Sequence, residues 1–425
     1  MGYIKNFEAL ASTPERKIVL ELVEAAFSSI EPRKVLENNF SVDSQSLTIH
    51  DKVYSLNEYQ HIFLLGFGKG SSGICKIIEE KLTDKLTLGF DIDVVDEAFE
   101  NIHYTKGTHP LPSQTNIDFT KNALSQLKNL SEKDLVLVVI CGGGSALFED
   151  PYKVDLDTLS STGKALLKSG ANITEMNVVR KHLSRVKGGK LAQLLYPATI
   201  ASLIFSDVPG NDLSVIASGP TAKDKSTMEE LHSILAKYKI GDQVQLQDDA
   251  FSEVPTDDKY FENVSNILIV SNLTALEAMQ NKAKELGFES DIHSSSIQGD
   301  AHELGKTLID ASESGKILFA GGESTIHVTG KGQGGRNQAL VVASLPYLGD
   351  IVTLAAFDSD GWDFYGYAGA VGDKSTSEKA NSLNVDPIEY LKNDDCYHFL
   401  EKVGDGIDTG KLESNVSDLY IVLKK

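Results

Sequence analysis

The sequence predicts an α/β protein of two domains, and three observations carry that prediction. Short apolar runs recur along the chain, each ending abruptly in small or acidic residues; segments of helical period lie between them; and 425 residues exceed what one hydrophobic core usually organises. The runs are "IFLLGFGKGSS", "LVLVVICGGGSA", "ASLIFSDVPGND", "ILIVSN", "KILFAGGES" and "IVTLAAFDSDG". Each is apolar on both faces and too short for a helix, which reads as a buried parallel strand.

The first element is a helix. In "STPERKIVLELVEAAF" Thr13 can cap, Pro14 suits the first helical position, and apolar residues then recur at helical spacing. Helices also follow from "SSGICKIIEEKL" and "LTALEAMQNKAKELGF", the second closing on Gly287. From Lys223 to Asn266 the chain turns polar and acidic, which suggests the connection between domains. Ligands of open α/β sheets sit beyond the carboxyl ends of the strands, and the glycine and acidic clusters of this chain fall there.

The balance of 40 Lys and Arg against 61 Asp and Glu gives a net charge of -21. That field repels a polyphosphate backbone, so nucleic acid is not expected as a partner, and a site for a small anion must gather its own cations. Three separated cysteines, Cys75, Cys141 and Cys396, fit neither a disulfide framework nor a zinc site. With no secretory h-region at the N-terminus and no run of the roughly 18 apolar residues a membrane span requires, the expectation is a cytoplasmic protein without membrane contact.

Six clusters could carry chemistry. "GFGKG" at Gly66–Gly70 joins a strand to a helix, where backbone N–H groups, the helix N-terminus and Lys69 would favour an anion; alone, it reads equally well as a tight turn with a solvated lysine. It lacks the spacing of a Walker A loop. "CGGGSALF" sets Gly142, Gly143, Gly144 and Ser145 where a phosphate could approach the backbone; Ala146 and Leu147 argue against a nucleophile elbow. "NVVRKHLSRVKGGK" supplies local cations, Arg180, Lys181, Arg185, Lys187 and Lys190, or else a solvated basic helix. "FSDVPGNDLSVIASGPT" puts Asp207 after a strand and Asp212 nearby, carboxylates that suit Mg²⁺ or cap a helix. "GGESTIHVTGKGQGGRNQAL" offers Glu323 and, between glycines and an amide, Arg336, whose planar fork matches carboxylate or phosphate. "FDSDGWDFYGYAGA" adds Asp358, Asp360 and Asp363, which repel one another unless a cation or protons intervene.

Taken together the motifs resemble the class II glycerate kinases, whose C-terminal half carries the MOFRL domain. "GFGKGSSG" is similar to that family's G-x-GK-A motif, "THPLPSQTN" to its H-P-x-P segment and "CGGGSALF" to its GGGSAL loop. "NVVRKHLSRVKGGKLA", "SDVPGNDLSVIASGPT", "GGEST" and "GKGQGGRNQAL" follow in the family's order. The resemblance implies an N-terminal Rossmann-like parallel sheet with helices on both faces over residues 1–245, and a smaller mixed-sheet MOFRL-type domain over residues 246–425, facing each other across a cleft. It implies ATP- and Mg²⁺-dependent phosphorylation of D-glycerate to 2-phospho-D-glycerate, with a homodimer left open as the assembly.

By carry-over, Lys69 and Arg336 are active-site cations. The roles that join both readings place ATP phosphates on Gly68, Gly142, Gly143, Gly144, Ser145 and Lys187, and the acceptor acid on Arg180, Asn337 and Glu323. Asp207 and Asp360 would hold Mg²⁺, and Asp207 would also take the hydroxyl proton. Phosphoryl transfer asks mainly for positioned cations and donors, which agrees.

The chain also departs from the family. Asn211 stands for an aspartate, Ala339 for the glutamate of GGRNQE, and Phe364 for the glycine of a DGxDG turn, while Lys411, Leu412 and Glu413 interrupt the TGPTGTNV segment. These changes predict a reshaped acceptor pocket. They keep two other readings in view, a kinase of another short hydroxy acid and a catalytically weakened homologue that senses nucleotide or metabolite. A dinucleotide-dependent oxidoreductase is the less favoured reading, since the motifs around Gly68, Gly70 and Gly73 follow the kinase family's order.

Overall fold

The computed structural model describes residues 2–244 and 246–425. The expected domain boundary falls at residue 245, which lies outside the described residues. The chain forms two compact units, each drawn from separated stretches. One comprises residues 36–206 and 211–269; the other comprises residues 1–35, 207–210 and 270–425.

The first unit opens with a small antiparallel sheet of β1 (Phe40–Val42), β2 (Ser46–Ile49) and β3 (Lys52–Ser55). Its main sheet holds β4 (His61–Phe67), β5 (Leu86–Asp93), β6 (Ile102–Lys106), β7 (Asp134–Ile140), β8 (Thr199–Phe205) and β9 (Val264–Val270), in the order β6-β5-β4-β7-β8-β9. The pairs β4/β5, β4/β7, β5/β6 and β7/β8 are all parallel. This is the doubly wound order, in which the strand sequence reverses between β4 and β7, and ligands of such sheets bind at that reversal. All seven residues of β7 are buried, as a parallel strand covered on both faces requires.

The polar stretch from Lys223 to Asn266, expected as a linker, belongs to this unit. Helix Met228–Lys237, capped by Thr227, turns Leu231 and Ile234 into a core shared with Leu166, Met176, Val179 and Phe251. The acidic residues of the stretch conceal a narrow apolar stripe, which is all a surface helix needs.

The second unit holds a mixed sheet of β10 (Glu289–Asp300), β11 (Lys316–Thr325), β12 (Val352–Asp358), β13 (Gly369–Gly372), β14 (Gly406–Ile407) and β15 (Asp418–Lys424), ordered β10-β11-β15-β12-β13-β14. Only β10 and β11 run parallel; the other pairings are antiparallel. The last strand, β15, therefore inserts between β11 and β12, so two of the runs read as parallel strands have an antiparallel neighbour.

The helix Pro14–Ile30 has the predicted start, with Thr13 accepting the Arg16 N–H and Pro14 in the first turn. It lies in the second unit, which a single cut after residue 245 does not anticipate. The reason is a buried charge network. Arg16 is fully buried; it donates to Asp373 through Nε (2.8 Å) and Nη2 (2.9 Å), to Asp405 through Nη1 (2.6 Å) and Nη2 (3.0 Å), and to Thr376 (2.7 Å). Lys379 gives Asp405 a further donor at 2.7 Å. Phe27 adds an edge-to-face contact with Phe357 at 5.2 Å.

Arg16→Ala leaves two buried carboxylates short of their donor and is expected to cost about 3–5 kcal/mol, read from the urea midpoint. Burial alone would raise the pKa of Asp373, but the Arg16 hydrogen bonds outweigh it and hold the carboxyl below its ordinary 3.8. Its contribution to stability is thus present above that value and is lost as the pH falls through the folded pKa. Arg16→Ala should flatten this acid limb; an unchanged midpoint and limb would show that the network contributes nothing net.

Candidate active site

In the first unit the loops after β4 and β7 meet backbone to backbone. Cys141 N–H donates to Phe67 O at 3.1 Å and Lys69 N–H to Gly142 O at 2.7 Å. Gly68 has φ +118°, and a Cβ there would stand 2.5 Å from Cys141 O, so only glycine fits. Phe67 and Phe148 stack beneath at 4.5 Å.

The helix Ser71–Leu82 already has an anion at its N-terminus. Asp93 accepts from Gly70 N (2.9 Å), Ser72 N (3.2 Å) and Ser72 Oγ (2.8 Å), and Gly68 N–H goes to Ile92 O. Those backbone donors are engaged by the protein itself, which leaves the Lys69 side chain as the part of "GFGKG" that can meet a ligand. Its ammonium has no partner among the described residues.

A cavity of about 260 Å³ opens beside this loop, lined by His109, Gly143, Ser145, Arg180 and Lys187 among others. The basic run resolves into different duties there. Lys187 is buried and bonded to Glu149, which also accepts Ser184 Oγ at 2.6 Å. Lys181 is buried against Asp224. Lys190 donates to the carbonyls of Lys181 (2.7 Å) and Ser184 (2.8 Å), and burial pulls its pKa down to about 7. Arg185 reaches Pro151 O. Arg180 alone of the run has no hydrogen-bond or ion-pair partner among the described residues. Ser145 Oγ bonds Ser218 Oγ at 2.8 Å, and Ala217 and Ser218 both sit at positive φ, 49° and 62°, the local strain that clusters at binding sites.

In the second unit Asp418 starts β15 between the ends of β11 and β12, in register with Gly322 and Asp358. Arg336, first residue of the helix Arg336–Leu348, grips it through Nε (2.7 Å) and Nη2 (3.1 Å) and holds Glu323 through Nη1 (2.7 Å). Asn337 is fully buried and gives its amide to Asp418 (2.8 Å) and Asp363 (3.3 Å). Asp363 caps the helix through Asn337 N (3.2 Å) and Gln338 N (2.8 Å). Burial alone would lower the Arg336 pKa; Asp418, Glu323 and Asp358 more than offset that and raise it. The same burial, with repulsion from Asp418, pushes Asp358 well up and Asp363 to about 7. The carboxylates thus coexist through both a cation and protons.

A cavity of about 800 Å³ adjoins this group, lined by Glu323, Arg336, Trp362, Phe364 and Tyr365 among others. Phe364 is 85% exposed with φ 64°, a rare conformation for a bulky residue. Ala339 also lines it, and Lys411 lies over Trp362 at 5.0 Å. Asp360 receives Trp362 N–H on Oδ1 at 2.8 Å, and the Asp207 carbonyl accepts Ser417 Oγ. Among the described residues no three His, Cys, Asp or Glu side chains are grouped to hold a metal. Two carboxylates completed by waters are a donor set that Mg²⁺ accepts.

The model for a domain of unknown function, DUF4147, matches residues 18–249, and that of the MOFRL family matches residues 316–418. The chain is 33% identical to a D-glycerate 2-kinase of Thermotoga maritima, covering 96% of this chain and 98% of that one. It is 34% identical to a glycerate 2-kinase of Pyrococcus horikoshii, covering 96% and 97%. The crystal structure of a glycerate kinase from Thermotoga maritima superposes with a TM-score of 0.84 at 31% identity, over 96% of this chain and 99% of the other. With this likeness over nearly its whole length, the chain belongs to the DUF4147 and MOFRL family, that of the glycerate 2-kinases.

Proposed function

We propose that this chain phosphorylates the 2-hydroxyl of D-glycerate, with ATP as donor and Mg²⁺ as its counter-ion, in the cytoplasm. The observation that carries the reading is the pair of unpartnered cations, Lys69 and Arg180, beside a glycine loop at the β4/β7 reversal of an acidic chain. Both reactants are anions, and an uncommitted lysine and arginine are what such reactants require.

In this reading Lys69, Gly143, Gly144 and Ser145 meet the transferring phosphate, and Arg180 reads the carboxylate of the acid. Gly68 and Gly142 serve by letting the two loops touch. Lys187, neutralised by Glu149, shapes the cavity wall, and Asn337 orients Arg336 through the shared Asp418. Asp207 and Asp360 are the residues that would hold Mg²⁺, which supplies charge neutralisation for the departing phosphate when bound. Three buried free cysteines suit a reducing compartment.

Phe364, 85% exposed at the rim of the larger cavity where the family carries glycine, favours one second reading, a kinase of another short hydroxy acid. ADP release measured over D-glycerate, L-glycerate, glycolate, lactate, tartrate and erythronate at fixed Mg²⁺-ATP separates the two. D-Glycerate should be fastest; another acid ahead of it would move the assignment, and no turnover with any would leave a sensor.

Two substitutions test the roles. Lys69→Ala should lower kcat on the order of 10² or more, and unchanged turnover would remove Lys69 from the chemistry. Arg336→Lys keeps the charge but loses the fork onto Asp418 and Glu323, so kcat/KM should fall strongly, with stability lowered by about 1–3 kcal/mol from the buried Asp418. Full activity in that variant would mean that charge alone matters there.

A further inference from the structure

We propose that His109 takes the proton from the acceptor's hydroxyl during transfer, an inference that rests on the kinase reading above. His109 stands in the loop after β6 and lines the cavity of about 260 Å³ with Gly143, Ser145 and Arg180. Its ring lies over the glycine loop. A Cβ on Gly143 would be 2.9 Å from His109 Nε2 and 3.5 Å from Lys69 Cε, so imidazole and lysine border one spot above Gly143. Neither ring nitrogen has a hydrogen-bond partner among the described residues, so whichever nitrogen is unprotonated is free to accept a proton.

The other polar groups of the cavity are poorer bases; the hydroxyls of Ser145, Ser160 and Thr162 are far too weak at neutral pH. Glu149 has both oxygens engaged, by Ser184 and Lys187. Thr162 is bonded to the Thr158 carbonyl, and Ser145 to Ser218. Lys164, Arg180 and Lys187 are cations. The charged groups around His109 are these three, Lys69, and Glu149, already neutralised by Lys187. Loss of hydration, together with the Lys69 charge, holds the imidazole pKa below its ordinary 6.5, so the ring is a neutral base at pH 7.

The step balances. The hydroxyl oxygen of the acid forms a bond to the γ-phosphorus as the bond from that phosphorus to the β,γ-bridging oxygen breaks. ADP departs with the electron pair, and the hydroxyl proton passes to His109 Nε2, whose imidazolium later returns it to water. Arg180, on the carboxylate of the same acid, fixes which hydroxyl faces the ring.

The test is kcat and KM for D-glycerate between pH 5 and 8 in wild type, His109→Ala, His109→Gln and Asp207→Asn, with thermal melts to confirm folding. Wild-type kcat should rise from the acid side as His109 loses its proton. In both His109 variants kcat should fall about a hundredfold, with KM changed less than threefold and the acid limb absent, and added imidazole should restore part of the rate to His109→Ala alone. A His109→Ala enzyme with wild-type kcat, or one that keeps the acid limb while Asp207→Asn loses it, overturns the inference and leaves the kinase reading standing. A folded wild type that turns over no hydroxy acid overturns both.

Discussion

The contact on which the candidate site depends is the approach of Gly68 to Cys141. Two parallel strands lie side by side at a fixed spacing, and the loops that leave their ends normally diverge to opposite faces of the sheet. Here they touch before diverging, because Gly68 carries no side chain into the 2.5 Å that separates its notional Cβ from Cys141 O. The Lys69 N–H bond to Gly142 O then locks the lysine against the glycine loop. The lock sets the Lys69 backbone against Gly142, next to the Gly143 that the His109 ring overlies. Asp93 completes it by holding Gly70 and Ser72, which fixes where the helix Ser71–Leu82 begins.

This changes what the glycines are for. A strand, a glycine turn and a helix suggest an anion on the helix N-terminus, but a carboxylate of the neighbouring strand sits there instead. The helix field is used to anchor structure, and the charge for a ligand is carried by side chains that have been left without partners. In a chain of net charge -21 an unpartnered lysine and an unpartnered, half-buried arginine are costly to maintain, since partners of opposite charge are abundant. Their isolation beside one cavity is the strongest sign of a bound anion.

The apolar runs made six strands legible, because a strand covered on both faces must be apolar throughout. What stayed hidden has physical causes. β15 lies in a tail whose "DLYIVL" is as apolar as the other runs, yet its place between β11 and β12 depends on pairing partners that no local pattern encodes. Arg16 looks like an ordinary helix residue; its partners are 357 and 389 positions away, so neither its burial nor the placing of the first helix can be read locally. Among five cations of the basic run, spacing could not tell which would be neutralised. Lys187 and Lys181 face acids from distant segments, whereas Arg180 lines the cavity. The aspartates of "FDSDGWDF" were legible as a cluster in need of a cation, but the cation, Arg336, became evident only with the register that sets Asp418 beside Asp358.

The second unit poses the opposite electrostatic problem to the first. Around Arg336 stand Glu323, Asp358, Asp363 and Asp418, with Asp360 adjoining, so one guanidinium faces several carboxyl groups even after Asp358 and Asp363 are allowed to hold protons. An anionic reactant could not approach this group against that field at an effective dielectric of about 20, where each unpaired charge at 4 Å acts with about 4 kcal/mol. A divalent cation would reverse the balance. The excess of acid beside Arg336 therefore selects for a cation over an anion there.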